Sequence, residues 1–374
     1  MAYTYYRPIT IDYTKVSTSN HTDFPVVIAG TYSYLATTAN GGNVESANGY
    51  DIKFTSDEAG TTQLKQQTES WDATTGRIEI IVKIPTLSYT SNTTIYMWYG
   101  DSSVTTSNDD ASNVWNSAYK FVCNMNADPS TTVYDSTSSP AHMTTQGSMT
   151  SGDLVDGAIG KSVVFERSKS QYAKTATSVA KLNITGDYTL EYYGKFNDVT
   201  LENVLLGRGD GGAYLQYWLS TENTAKVWLV SSGGGNFKST STLTTGTYYY
   251  IVGVRDVTTG RIYINGTQDN TGTGFNNPAS RTEPLFHGYN NYSPVQRYGD
   301  SETAFLRVSN VARSAGWIAT IYNNINSPST FYSIGAAVGG VTSELKKVAS
   351  VPYASIKKID KIAIASVKKF SGIA

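Results

Sequence analysis

The side chains best suited to acid–base chemistry are the carboxylates of "ESWDATTGRIE", Glu69, Asp72 and Glu79. Glycoside hydrolysis needs two carboxyl groups flanking the scissile bond, roughly 5 to 9.5 Å apart. A strand presents such a pair on one face only at even spacing. Here odd spacing and a glycine turn separate the three acids, so the string reads against catalysis. His21, His142 and His287 sit in three different loop regions with no HxH or HExxH spacing. They read as surface or strand-end histidines rather than as zinc ligands or members of a triad. The single cysteine, Cys123 in "YKFVCNM", reads as a small buried residue.

Aromatic side chains offer a different chemistry. Sugar sites set aromatic faces against C–H-rich ring faces and use Asn, Asp and backbone groups for the hydroxyls. Trp218, Trp228, Tyr214 and Tyr217 fall on neighbouring strands, where alternate aromatics normally fill a core. Trp218 and Trp228 therefore read as core or sheet-face residues. The loop set Tyr289, Asn290, Asn291 and Tyr292, in "HGYNNYSP", is the candidate contact with a glycan or partner. The Gly-rich "SSGGGNFK" and "GRGDGG" open no helix and match no phosphate-binding pattern, so they read as hairpin loops. No nucleic-acid partner is expected. An Arg-Gly-Asp triplet as short as that at 208–210 arises by chance.

Those residues need a β framework. The 374 residues suit two domains and a tail. Charged residues make up 16%, below the average of about 25%, while Tyr, Gly, Thr, Ser and Asn fill the difference. Up to about residue 118, "RPITIDYT", "FPVVIAG", "YDIKFTS", "GRIEIIVKIP" and "TTIYMWYG" are short β-branched or aromatic runs separated by turn residues, which predicts a β-sandwich. From 119 to 338 a second β-rich block follows, including the hairpin "DVTTGRIYINGT". Its one clear helix starts at Ser314 as N-cap, sets Trp317, Ile318, Ile321, Tyr322 and Ile325 on one face, and stops at "NSP". The fold class expected is all-β, with two sandwich or jelly-roll domains over 1–118 and 119–338 and a linker and basic tail over 339–374.

Two resemblances accompany this reading. "YYRPITIDYTKVS", "DFPVVIAG", "GYDIKFTSDEAGT", "TTGRIEIIVKIPTLS" and "NTTIYMWYGDSS" resemble an uncharacterised β-domain of microbial surface and phage structural proteins. "DGAIGKSVVFERSKSQYAKT", "DYTLEYYGKF", "YYYIVGVRDVTTGRIYINGT" and "LRVSNVARSAGWIATIYNNINSPSTFYSIG" resemble the laminin-G-like jelly roll of the concanavalin-A-like superfamily. The first resemblance implies no chemistry. The second implies either a sugar-binding module or a glycosidase, but the Glu-x-Asp-x-x-Glu strand of the retaining glycosidases is missing, so no enzyme is expected. It also implies a rim calcium site. Asp135 in "VYDSTSSP" matches the first ligand position, while Ala304 and Phe305 stand where the family often has Asp-Glu. No cofactor is expected, and any calcium would be weakly held and centred on Asp135.

The segment from Glu344 carries seven Lys against Glu344 and Asp360, in a chain whose net charge is −1. Aligning Leu345, Ile356 and Val367 gives three copies of an eleven-residue unit: apolar, Lys, Lys, apolar. Such units are too short for a core of their own and need neighbouring chains or a partner surface. Strand is favoured over helix by the β-branched content, with Leu345, Val348, Ile356, Ile359, Ile362, Ile364, Val367 and Phe370 as assembly residues. Similar Lys-Lys repeats end many phage structural proteins. The N-terminus enters a strand directly, without the basic and apolar regions of a secretory signal, and no apolar run is long enough to span a membrane. The expectation is a virion surface protein, a fibre, adhesin or decoration protein. It would be homo-oligomeric, with other virion proteins or its own copies as tail partners and a host glycan as jelly-roll partner. A cell-surface adhesin, a purely structural capsid decoration protein and a polysaccharide depolymerase are the alternatives.

Overall fold

The computed structural model describes residues 3–209, 214–290 and 297–339, and the backbone of Lys358–Ile359 and Ile362–Ala363. The described chain is all-β, as expected. In the first unit β1 (Tyr5–Ile11), β2 (His21–Thr31), β3 (Lys53–Thr55), β4 (Gln66–Trp71), β5 (Arg77–Leu87) and β6 (Thr93–Tyr99) form two antiparallel sheets. β2, β5 and β4 make one, and β1, β6 and β3 belong to the other. Ile78, Ile80, Val82 and Ile84 alternate along β5 and are all buried, with Phe24, Val26 and Ile28 beside them on β2. Period-2 alternation packs these chains against Ile9, Ile11, Ile95 and Met97 of the facing sheet.

The second unit is a jelly roll of two eight-stranded sheets. Its inner sheet, next to the first unit, centres on β13 (Tyr188–Phe196), β18 (Tyr248–Asp256), β19 (Thr259–Ile264) and β24 (Ser301–Ser309), with β11 (Lys161–Phe165) and β7 (Tyr119–Cys123) beside β24. The outer sheet includes β9 (Met143–Gln146), β12 (Tyr172–Lys174), β14 (Val204–Arg208), β15 (Tyr217–Thr221), β16 (Val227–Ser231), β17 (Asn236–Lys238) and β21 (Leu285–His287). Between them lie Phe121, Leu190, Tyr192, Leu219, Leu229, Ile251 and Leu306, all fully or almost fully buried. Cys123 joins this core, and burial pushes its thiol up to about 12.

The inner sheet is buried on both faces. Tyr193, Tyr250, Val252, Val254, Tyr263 and Phe305 leave the jelly-roll core and join that of the first unit. The chain after the jelly roll also returns to the first unit. Helix α2 (Ala315–Asn326) is capped by Ser314, whose Oγ accepts from Trp317 N at 3.2 Å. Asn324 of α2 brackets Val27 of β2, accepting from its N–H at 2.7 Å and donating to its C=O at 3.0 Å. β25 (Tyr332–Ile334) and β26 (Val338–Gly339) then pair with β1. Residues 315–338, placed with the second block by the sequence, therefore pack on the first unit. Its β1 edge would otherwise carry unpaired backbone groups.

Candidate functional site

A cleft of about 440 Å³ opens on the jelly roll and is lined by Arg167, Leu201, Glu202, Glu222, Asn223, Trp228, Arg297 and Tyr298. Its size lies in the usual range of small-molecule pockets, about 300–1,000 Å³. Four local structures build it. The first is the hairpin of β22 (Tyr289–Asn290) and β23 (Arg297–Tyr298), which sets Tyr289 opposite Tyr298 and Asn290 opposite Arg297. The second is the loop entering β14, held by Asn203, whose Nδ2 donates to the carbonyls of Asp198 and Leu201 and whose Oδ1 accepts from Asp300 N. The third is the β15–β16 turn carrying Glu222 and Asn223. Ala225 holds a positive φ of 56° in that turn. The fourth is the 3-10 turn Arg167–Lys169 after β11.

The alternation of β16 decides what Trp228 does. Val227 and Leu229 point into the jelly-roll core, so Trp228 stands on the opposite face, half-buried at the cleft. Trp218 lies on that face too but is buried with Val204 and Leu215. The charged groups of the cleft are paired. Arg297 Nη1 lies 2.7 Å from Glu202 Oε2, Arg167 Nη1 2.7 Å from Asp198 Oδ2, and Lys238 Nζ 2.6 Å from Glu222 Oε2. Arg167 Nε donates to the Tyr298 carbonyl at 2.8 Å. Arg167 Nη2 and Trp228 Nε1 are buried donors with no hydrogen-bond partner among the described residues.

Of the loop set expected at a ligand, Tyr289 and Asn290 lie behind this cleft and are buried. Tyr289 stacks on Tyr172 at 4.4 Å between ring centroids and leans on Tyr298 at 5.3 Å. Asn290 Nδ2 donates to Glu202 Oε1 at 3.0 Å, fixing the carboxylate that holds Arg297. Asn291 and Tyr292 lie outside the described residues. Sequence reasoning missed Arg167, Leu201, Glu202, Glu222, Asn223, Arg297 and Tyr298, which come from four separate stretches and share no spacing.

Asp135 is buried and its carboxylate is filled by protein donors. Oδ1 accepts from the N–H groups of Val122 and Thr137, and Oδ2 from Thr137 Oγ1, Ala141 N and Lys181 Nζ, the last at 2.5 Å. Among the described residues no three His, Cys, Asp or Glu side chains gather in a metal-binding group.

Two of the histidines are core residues rather than surface ones. His287 Nδ1 meets the Leu205 carbonyl at 2.8 Å and Nε2 meets Thr303 Oγ1 at 3.0 Å, and burial lowers its pKa to about 4. His21 is packed between Phe24 and Trp317, and burial lowers its pKa too. Neither stands in a loop, because each sits within or at the end of a strand whose face is covered. Glu69 and Glu79, separated in sequence, are brought together by the β4–β5 hairpin, where a register shift lies between Thr68 and Ser70. They lie at the seam between the two units. Glu79 borders a small cavity there of only about 20 Å³.

Among the described residues no helix is long and apolar enough to cross a membrane. Residues 48–138 match a family described as a domain of unknown function, DUF2341, and residues 167–319 match the concanavalin A-like lectin/glucanases superfamily. No curated protein matches the chain. Solved structures with a similar fold include a Trypanosoma rangeli sialidase bound to the inhibitor DANA, at 13% identity and TM-score 0.41, covering 54% of this chain and 32% of that one. Domain 4 of AbnA, an extracellular arabinanase of Geobacillus stearothermophilus, in complex with arabinotriose, aligns at 18% identity and TM-score 0.41, over 55% of this chain and 98% of that one. The binding domain of Paraclostridial mosquitocidal protein 1 aligns at 11% identity and TM-score 0.42, over 57% and 52%. The chain spans only 32% to 33% of the length of the sialidases. The chain thus joins a β-sandwich unit whose residues 48–138 match DUF2341 to a jelly roll whose residues 167–319 match the concanavalin A-like lectin/glucanases superfamily, across one buried seam.

Proposed function

We propose that this chain is a non-enzymatic surface recognition protein whose jelly roll binds a glycan in the cleft beside Trp228, and that it is displayed on a virion through its C-terminal repeat. The observation that carries the binding reading is the cleft itself. It is an aromatic and aliphatic wall, Trp228, Tyr298 and Leu201, set among Arg, Glu and Asn side chains that can meet hydroxyl groups from two sides. The seam carboxylates do not favour catalysis, because Glu69 is fully enclosed and the cavity bordered by Glu79 is too small for a sugar. Of the loop set Tyr289 to Tyr292, the first two members contribute by holding Tyr298 and Glu202 in place.

The virion reading rests on the sequence of the tail, whose Lys-Lys repeat differs in charge from the rest of the chain. A mass-spectrometric inventory of purified particles tests it, since absence of the chain from particles and its recovery with cell envelopes would favour a cell-surface adhesin. Glycan-array binding of the purified protein, lost on Trp228→Ala with the fold intact, tests the recognition role. Release of reducing ends from a polysaccharide would overturn the non-enzymatic reading.

A further inference from the structure

We infer that the Trp228 cleft selects uncharged glycan units, neutral hexose or pentose residues, and rejects sugars that carry a carboxylate. This rests on the glycan reading above and adds the ligand's chemical class. Two cations, Arg167 and Arg297, and two carboxylates, Glu202 and Glu222, line the cleft. Their partners behind the wall, Asp198 and Lys238, cancel as well. The cleft therefore offers no surplus positive charge.

Pairing sharpens that balance. The Arg297 guanidinium is half-exposed, but it is held by Glu202, which is almost fully buried and fixed from its other oxygen by Asn290. Arg167 is tied to both Asp198 and the Tyr298 carbonyl. An incoming carboxylate would compete with Glu202 and Asp198 for guanidinium groups whose charge those partners already offset. It would also approach Glu202 and Glu222 at short range, and like charges at an interface are a strong means of rejection.

A hydroxyl meets no such penalty. It can donate to Glu222 Oε1 or accept from the half-exposed guanidinium of Arg297, without separating either from its partner. A volume of about 440 Å³ suits about one or two sugar rings against the indole, not a long chain.

The test compares matched neutral and acidic ligands on the full-length protein by calorimetry and array. Suitable pairs are lactose with 3′-sialyllactose, galacto- with galacturono-oligosaccharides, and xylo- with glucuronoxylo-oligosaccharides. The expected result is binding of at least one neutral member, weakened about tenfold or more by Trp228→Ala, with its acidic counterpart weaker by a similar factor. Glu222→Gln, which leaves Lys238 unpaired at the cleft, should narrow the gap between the two members. Tighter binding of the acidic member, still sensitive to Trp228→Ala, would overturn the selectivity while leaving the glycan reading intact. No binding to any glycan, by a protein whose circular dichroism and melting are normal, would overturn both.

Discussion

Glu191 and Arg307 stand directly opposite each other on β13 and β24, with Oε2 and Nη1 3.9 Å apart, on the face of the jelly roll turned toward the first unit. Both are buried, and the same Glu191 oxygen accepts from Tyr250 Oη at 2.7 Å. The Arg307 guanidinium stacks on Phe305 at 3.9 Å and on Trp115 at 4.9 Å. Glu69 and Glu79 feel it from the β4–β5 hairpin. Removing one partner from such a buried cluster strands the others, at a cost of about 3–5 kcal/mol. Arg307→Ala should therefore destabilise the protein by roughly that amount. Because the seam belongs to one continuous core, both units should unfold in a single transition. Urea melts followed by tryptophan fluorescence and far-UV circular dichroism check this, and two separated transitions would show that the units are independent.

The seam also makes stability depend on pH. Burial pushes the Glu79 carboxyl up to about 7, against the opposing pull of Arg77 and Arg307. Glu69 is raised well above its ordinary value by burial, with the nearby Glu79 adding to it. Lys161 and Arg307 line the same small cavity as Glu79. A carboxyl whose folded pKa is raised keeps more protons folded than unfolded, so its stabilising effect is full below about pH 4.5 and is lost as the pH rises through about 7. Melting temperature should fall between about pH 5 and 8, and Glu79→Gln should flatten that fall. An unchanged slope in the variant would mean that another group controls the titration.

Much of the framework was legible because it rests on local periodicity. The β5 alternation of isoleucines, the Ser314 cap and the apolar stripe of α2 follow from spacing alone. The seam was not legible. Residues such as Tyr193, Tyr250 and Phe305 alternate as any sheet face does, and nothing in a strand says that its second face will be covered by another unit. Nor does local pattern reveal that Ile334 of β25 will pair with Ile9 of β1, more than three hundred residues away in the chain. The cleft failed to appear for a related reason. Its charged walls come from turns and strand ends, where sequence carries no period, and the aromatic loop set pointed to the right hairpin only through its buried members Tyr289 and Asn290.

Lys181 supplies the cation at Asp135, a place where a calcium ion is expected from resemblance. Its ammonium lies 2.5 Å from Asp135 Oδ2 and 2.7 Å from Thr137 Oγ1, and burial lowers its pKa while the Asp135 pair raises it. Lys181→Ala should leave a buried carboxylate unpaired and lower stability by about 3 kcal/mol or more. Added calcium should restore part of that loss only in the variant, where a hard cation can take the vacated position. Chelation of the wild-type protein should move its melting temperature by less than about 2 °C, a small shift on the scale of one kcal/mol. Differential scanning calorimetry with and without chelator decides it, and a large drop in the wild type would restore the calcium reading.

The last prediction concerns the repeat tail. The first unit's sheet is completed by β26, where Gly339 pairs with Tyr5 and Val338 with Tyr6, so the fold closes before residue 343. The strand pair Lys358–Ile359 and Ile362–Ala363 lies beyond that closure. A two-stranded pair is marginal alone in water, and unpaired strand edges in general invite pairing with another chain. Deleting residues 343–374 should leave the melting temperature within about 2 °C of the full chain, since no described core residue is removed. The same deletion should abolish self-association and attachment to particles. Size-exclusion chromatography with light scattering, together with a particle-binding assay, reads both. If the truncated chain assembles and attaches like the full one, Leu345, Val348, Ile356, Ile359, Ile362, Ile364, Val367 and Phe370 have no assembly role, and the recognition unit must be anchored through a face of its own.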